Sequence, residues 1–237
     1  MKIVAVIPAR WASSRYPGKP LADVGGKPMI RRVYEQARAC EGIADVIIAT
    51  DDERILRAAQ AFGARAVMTD AACASGTDRV AQAVRDIEAG AVINIQGDQV
   101  VLDTAAIVAL AGELERGCPM ATVALAASGE DAADPNTVKV VLDREGYALY
   151  FSRAAIPYPR SPGRAPLLKH VGLYGFSRET LFRFTALPQS PLELTESLEQ
   201  LRALENGIRI KVVIAEGAFH EINTPQDHAR VVERCRD

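Results

Sequence analysis

The sequence predicts an α/β fold: a mostly parallel sheet flanked by helices, with a smaller antiparallel lobe. Three observations predict it. Through the first half of the chain, short β-branched runs alternate with amphipathic runs of helix length, and strands joined in this way form right-handed βαβ units. After about residue 118 the strand-like runs follow one another with short connections and turn signals, which is the grammar of hairpins. The chain has 237 residues, 49% of them hydrophobic, enough for one large core or for a core with a smaller lobe.

The elements follow in order. "KIVAVI" (2–7) is a β-branched run suited to a strand buried on both faces. "GKPMIRRVYEQARAC" (26–40) puts Met29, Ile30, Val33, Tyr34 and Ala37 on one helical face, with Pro28 suited to the first turn. "DVIIAT" (45–50) reads as a strand. "DDERILRAAQAFG" (51–63) opens acidic and ends in Gly63, the polarity of a helix. "RAVMT" (65–69) is a third strand and 75–90 a third helix. A strand at 91–98 and a helix at 103–117 complete the alternating part. Strands at 120–127, 137–143 and 147–153 follow, with "DREG" (143–146) as a turn between the last two. Residues 160–166 read as a loop, 170–177 as a strand, and 190–207 as one helix with Leu194, Leu198, Leu201 and Leu204 along a core stripe. A strand at 208–216 and a final helix complete the chain. Thr224 suits the cap of that helix and Pro225 its first turn.

Several function classes are excluded. The formal net charge is −2, unlike the strongly basic balance of a general nucleic-acid binder. Cys40, Cys73, Cys118 and Cys235 lie far apart with no CxxC, so they read as free thiols in a reducing compartment rather than a zinc site. "MKIVAVIPAR" is too short an apolar run for a signal peptide, and no 18-residue apolar stretch occurs. The expectation is a soluble cytoplasmic protein that binds neither membrane nor nucleic acid. His220 and His228 read as surface residues.

"IPARWASSRYPGKPL" (7–21) carries the strongest chemical signal. Arg10, Arg15 and Lys19 share a loop of small residues directly after the first strand. Like charges need a reason to cluster. Arg grips phosphate oxygens in pairs and Lys adds a compact charge, so the loop suits a polyphosphate. Neither GxxxxGK[ST] nor GxGxxG is present, so ordinary P-loop and dinucleotide fingerprints do not apply. Loops after parallel strands line the ligand crevice. Thr50, Asp51 and Asp98 each follow a predicted strand and can meet the opening cations there.

Taken with "ATDDERI", "ASGTDRV", "NIQGDQ", "VKVVLDREGYALYFSRAAIP", "KHVGLYGF" and "LEQLRALENGIRIKV", the opening loop closely resembles the 3-deoxy-manno-octulosonate (Kdo) cytidylyltransferases, from residue 2 to about residue 232. The resemblance implies a Rossmann-like α/β nucleotidyltransferase domain over 1–237, with an antiparallel dimerisation lobe inserted at about 120–175. It implies transfer of CMP from CTP to the anomeric hydroxyl of an eight-carbon sugar acid, with Mg2+ as cofactor and a homodimer as the working form. Arg10, Lys19 and Asp98 match the catalytic set, Asp98 as the magnesium ligand. Pro8, Ala9, Arg10, Arg15, Lys19, Ser75, Gly76 and Arg79 match the nucleotide site, although Ser75 also suits a helix cap. Gln96, Arg153, His170, Tyr174, Glu199 and Gln200 match the sugar-acid pocket, Arg153 suiting the sugar carboxylate. His170 equally suits a structural histidine, and Glu199 an exposed helix carboxylate. Two departures stand out: Gln99 and Val100 replace the family's Glu-Pro, and Asn223 replaces its second metal-binding aspartate. They leave open the 8-amino analogue of Kdo as substrate, or a catalytically weak nucleotide-binding regulator.

Overall fold

The computed structural model describes residues 1–12, 16–161, 167–222 and 224–234. Arg15 and Asn223 lie outside the described residues, as does most of the 160–166 loop. The chain forms two compact units, 1–108 with 217–237, and 109–216.

The first unit alternates strand and helix: β1 (Ile3–Ala9), α1 (Met29–Arg38), β2 (Ile43–Thr50), α2 (Glu53–Ala61), β3 (Arg65–Met68), α3 (Gly76–Ala83), β4 (Ala91–Asn94), β5 (Gln99–Val101) and α4 (Thr104–Glu115), within which the division between units falls. Its sheet runs β4-β1-β2-β3, all parallel, with Ala5 opposite both Val46 and Ile93. Ile3 to Ile7 are all fully buried, as a strand with neighbours on both sides and helices on both faces requires.

The second unit contains β6 (Met120–Ala126), α5 (Gly129–Ala133), β7 (Lys139–Leu142), β8 (Ala148–Ser152), β9 (Leu168–Ser177), α6 (Arg178–Thr185), α7 (Pro191–Glu196), α8 (Gln200–Glu205) and β10 (Ile210–Ala215). β6 pairs in parallel with β10 and antiparallel with β9, and β7 pairs antiparallel with β8 and β9. The lobe expected at about 120–175 lies inside this unit. The chain then returns to the first unit as β11 (His220–Glu221), antiparallel to β5, and α9 (Pro225–Arg234). No described helix is long and apolar enough to cross a membrane.

Caps explain several helix starts. Asp52 accepts the Arg54 N–H at 2.9 Å, and Ser75 forms a reciprocal capping box with Asp78. Thr224 and Asp227 form the same arrangement at α9, with Pro225 in its first turn as the sequence predicts. Pro28 precedes α1 as its cap residue instead of lying inside its first turn.

The expected single helix over 190–207 is two short helices. Ser197 adopts the left-handed conformation (φ 52°) and breaks it. The cause is Arg153, whose guanidinium takes the carbonyls of Glu196 (2.8 Å) and Ser197 (3.4 Å) that a continuous helix would bond internally. The leucine stripe breaks with it: Leu198 and Leu201 are buried, whereas Leu194 is 60% exposed. β5, α5, α6 and β11 lie outside the elements the sequence predicts, and α3 stops at Ala83 rather than 90.

Candidate active site

In the first unit the ends of β1 and β4 build the site. Gly97 is needed for close approach: a Cβ there would lie 2.9 Å from the Pro8 carbonyl oxygen. The next residue, Asp98, accepts a hydrogen bond from Lys19 Nζ at 2.7 Å on Oδ2. The loop cation and the strand-end carboxylate therefore meet across 79 residues of sequence. The loop returns on itself through Gly18, whose N–H donates to the Trp11 carbonyl at 3.1 Å. Gly18 has φ 71°, and a Cβ on it would come 2.9 Å from the Trp11 ring. Arg54 lies over the Trp11 ring, its guanidinium carbon 3.4 Å from the centroid, while also gripping Asp52 at 2.9 and 2.6 Å. The Arg54 guanidinium holds the Asp52 carboxyl below its usual value.

Pro8, Gly76 and Gln96 also come together, with the Gly76 Cβ position 3.6 Å from Pro8 Cγ and 4.0 Å from Gln96 Oε1. Ala9 is buried beside them in sequence, and Arg10 is exposed. The Ser75 hydroxyl is engaged with Asp78 (2.9 Å to Oδ2), so it caps α3. Arg79 is buried, donating to Asp51 at 2.7 Å and to Thr69 at 2.5 Å. It thereby ties the start of α3 to the residues that follow β2 and β3.

Ile222 donates its N–H to the Asp98 carbonyl at 3.0 Å, which places the segment before position 223 beside Asp98. Gln99 is fully buried; its Nε2 donates to Glu221 at 3.4 Å, and its Oε1 has no hydrogen-bond partner among the described residues. His228 is not a plain surface residue. Its Nε2 bonds the Asp23 carbonyl at 2.6 Å and its ring packs near Tyr16, so it fastens α9 to the segment before α1.

Of the residues matched to the sugar-acid pocket, the second unit holds Arg153, His170, Tyr174, Glu199 and Gln200, whereas Gln96 lies in the first. The Tyr174 hydroxyl donates to Gln200 Oε1 at 3.0 Å, while Gln200 Nε2 is buried without a partner among the described residues. His170 is half-buried as a residue, but Phe151 (5.0 Å) and Tyr174 (5.3 Å) enclose its ring. Thr122 gives its hydroxyl proton to the Leu173 carbonyl at 2.7 Å, so it accepts from His170 Nε2–H at 2.9 Å; this assigns the tautomer. Burial lowers the His170 pKa to about 3 and raises that of Tyr174, Glu199 adding to the latter. Glu199 precedes α8, 3.8 Å from Arg202, which forms a buried pair with Glu193. The sequence reading missed Trp11, Arg54, Thr122, Lys139 and Glu196. Trp11, Arg54 and Lys139 lay inside stretches quoted for the resemblance without being singled out; Thr122 and Glu196 carry no local signal.

Comparison with known proteins identifies the family. A family model described as cytidylyltransferase matches residues 4–210. The chain belongs to the cytidylyltransferase family. Its chemistry is therefore nucleotidyl transfer. Similar to it is a 3-deoxy-manno-octulosonate cytidylyltransferase of Syntrophotalea carbinolica, 46% identical over 100% of this chain and 99% of that one. An 8-amino-3,8-dideoxy-manno-octulosonate cytidylyltransferase of Shewanella pealeana is also 46% identical, over 96% of each. A solved CMP:2-keto-3-deoxy-manno-octonic acid synthetase in complex with CTP superposes with a TM-score of 0.96 at 44% identity, covering 100% of this chain and 99% of that one.

Proposed function

We propose that this cytidylyltransferase transfers CMP from CTP to the anomeric 2-hydroxyl of Kdo and releases pyrophosphate, for lipopolysaccharide biosynthesis. The observation that carries the reading is the 2.7 Å contact between Lys19 and Asp98, in a chain that matches a CTP-bound Kdo-activating enzyme end to end.

The sugar hydroxyl oxygen forms the new bond to the α-phosphorus, the α,β-bridging bond breaks, and pyrophosphate carries the electron pair away. The hydroxyl proton passes to solvent. Arg10, Arg15 and Lys19 hold the outer phosphates and balance the leaving charge. Pro8, Ala9, Ser75 and Gly76 form the small-residue wall for the base, with Arg79 bracing it. Arg153, His170, Tyr174, Glu199, Gln200 and Gln96 receive the sugar acid.

Mg2+ belongs to this proposal. Asp98 supplies a hard carboxylate, and magnesium typically takes one or two carboxylates together with phosphate and water oxygens. When bound, the ion would screen phosphate charge and acidify the sugar hydroxyl. Asn223 would add a neutral carbonyl oxygen where the family pattern has a carboxylate. The homodimer and cytoplasmic location also belong to the proposal; light scattering tests the dimer.

A second reading has an observation in its favour: relatives at 46% identity act, by name, on the 8-amino sugar acid. Pyrophosphate release from CTP with magnesium, measured with each sugar acid in turn, decides between the two. Release with neither, despite CTP binding, would overturn both and leave a nucleotide-binding regulator.

A further inference from the structure

We propose that Lys139 and Glu196 are positioning residues that hold Arg153 from its two backbone ends. The inference rests on the reading that Arg153 receives the carboxylate of the sugar acid.

Lys139 is fully buried on β7. Its Nζ donates to the carbonyls of Asp134 (2.9 Å), Thr137 (2.6 Å) and Arg153 (2.5 Å). Three acceptors match the three protons of an ammonium, so the side chain is held as a cation by hydrogen bonds that, among the described residues, all go to carbonyls. Burial lowers its pKa and the nearby Asp134 opposes that shift. A buried lysine used only to fill space would cost more than a leucine. What this one does is gather three carbonyls at the end of the β7–β8 hairpin, one of them Arg153's own.

Glu196 works from the other side. Its Oε2 accepts the Arg153 N–H at 3.0 Å and its Oε1 accepts the Ser152 hydroxyl at 2.6 Å. Both polar groups of the Arg153 backbone are therefore held by charged side chains of opposite sign. The Arg153 side chain is held as well. Nε donates to the Glu196 carbonyl (2.8 Å), Nη1 to the Pro135 carbonyl (3.1 Å) and Nη2 to the Ser197 carbonyl (3.4 Å). A guanidinium has about five N–H donors, so these three bonds leave about two, enough for one bidentate carboxylate contact. Every acceptor in the set is a neutral carbonyl. The guanidinium is thus fixed in direction by carbonyls, and the Glu196 carboxylate, which feels its charge, bonds the Arg153 backbone N–H instead of the guanidinium, so the remaining N–H donors stay available to an anion. Arg153 as the only residue matched to the sugar carboxylate makes that fixation a matter of substrate affinity.

The test uses the full-length protein. Glu196→Gln keeps the size but leaves one acceptor for two donors. Lys139→Met keeps the stem and removes the donors. Thermal melts check folding, and steady-state kinetics give KM for the sugar acid and for CTP separately. One net hydrogen bond is worth about 1 kcal/mol, so a rise of about fivefold to tenfold in sugar-acid KM is expected for Glu196→Gln, with KM for CTP unchanged. Adding Glu196→Gln to Arg153→Ala should then raise the sugar KM no further, because coupled residues are not additive. If Arg153→Ala raises the sugar KM while Glu196→Gln leaves it alone, or raises both KM values together, the positioning role is overturned. If Arg153→Ala itself leaves the sugar KM unchanged, the underlying reading of Arg153 fails instead. Should Lys139→Met not fold, the Glu196 arm and its double variant still decide.

Discussion

At the scale of single residues, the proposed activity turns on the contact between Lys19 and Asp98. Lys19 was legible as one of three cations clustered on a small-residue loop, and Asp98 through the family resemblance, because an aspartate after a strand by itself also suits a cap or a turn. Asp98→Asn should abolish CMP transfer in a protein that still folds, a loss on the order of 3–4 kcal/mol of transition-state stabilisation. Steady-state turnover with circular dichroism checks it, and near-normal turnover would remove Asp98 from the machinery. Lys19→Ala should weaken CTP far more than CMP in calorimetric titrations, because its assigned partners are the outer phosphates; equal losses would make it a structural residue. Arg79 was less legible: its charge matched a ligand-binding pattern, yet its partners are Asp51 and Thr69, brought in from other strands. His170 gives a pH prediction. The ordinary imidazole value is near 6.5, and burial lowers it to about 3. The unfolded chain takes up a proton below about pH 6.5 that the native ring refuses, so stability is fully present above that value and is lost progressively as pH falls towards 3. His170→Gln should therefore show a shallower loss of stability between pH 7 and pH 5 in urea melts than the parent; parallel losses would mean the ring is accessible.

At the scale of elements, the alternating half of the chain was legible because hydrophobic period and cap chemistry are local. The break at Ser197 was not, because its cause is Arg153, distant in sequence. β5 and β11 were also hidden, being too short to carry a period. The loop between β1 and α1 gives the prediction that belongs here. Its return depends on Gly18, where a side chain meets both a left-handed backbone and the Trp11 ring. Gly18→Ala should cost about 1–2 kcal/mol from the backbone alone. It should also raise KM for CTP while leaving that for the sugar acid unchanged. A variant with normal stability and normal CTP affinity would show that the loop closes by other means.

At the scale of the molecule, the two compact units divide the assigned residues. Pro8 to Lys19, Ser75 to Arg79 and Asp98 lie in one unit, and Arg153, His170, Tyr174, Glu199 and Gln200 in the other. Hydrogen exchange should therefore report the ligands separately. CTP should slow exchange in 8–19, 75–79 and at Asp98, and the sugar acid in 151–154, 170–174, 198–201 and at Gln96. Protection of the first set by sugar acid alone would contradict the division of roles. The second unit is one unbroken stretch of chain, whereas the first is completed by 217–237 after the second has been made. On a ribosome this sets an order. The strands β1 to β4 emerge early, but the Asp98 carbonyl waits for the Ile222 N–H, and Val24, Met29 and Val100 wait for the Ile222 side chain to cover them. A nascent chain can finish residues 109–216 first, and carries the first unit with an open apolar seam until the segment from residue 217 onward has emerged.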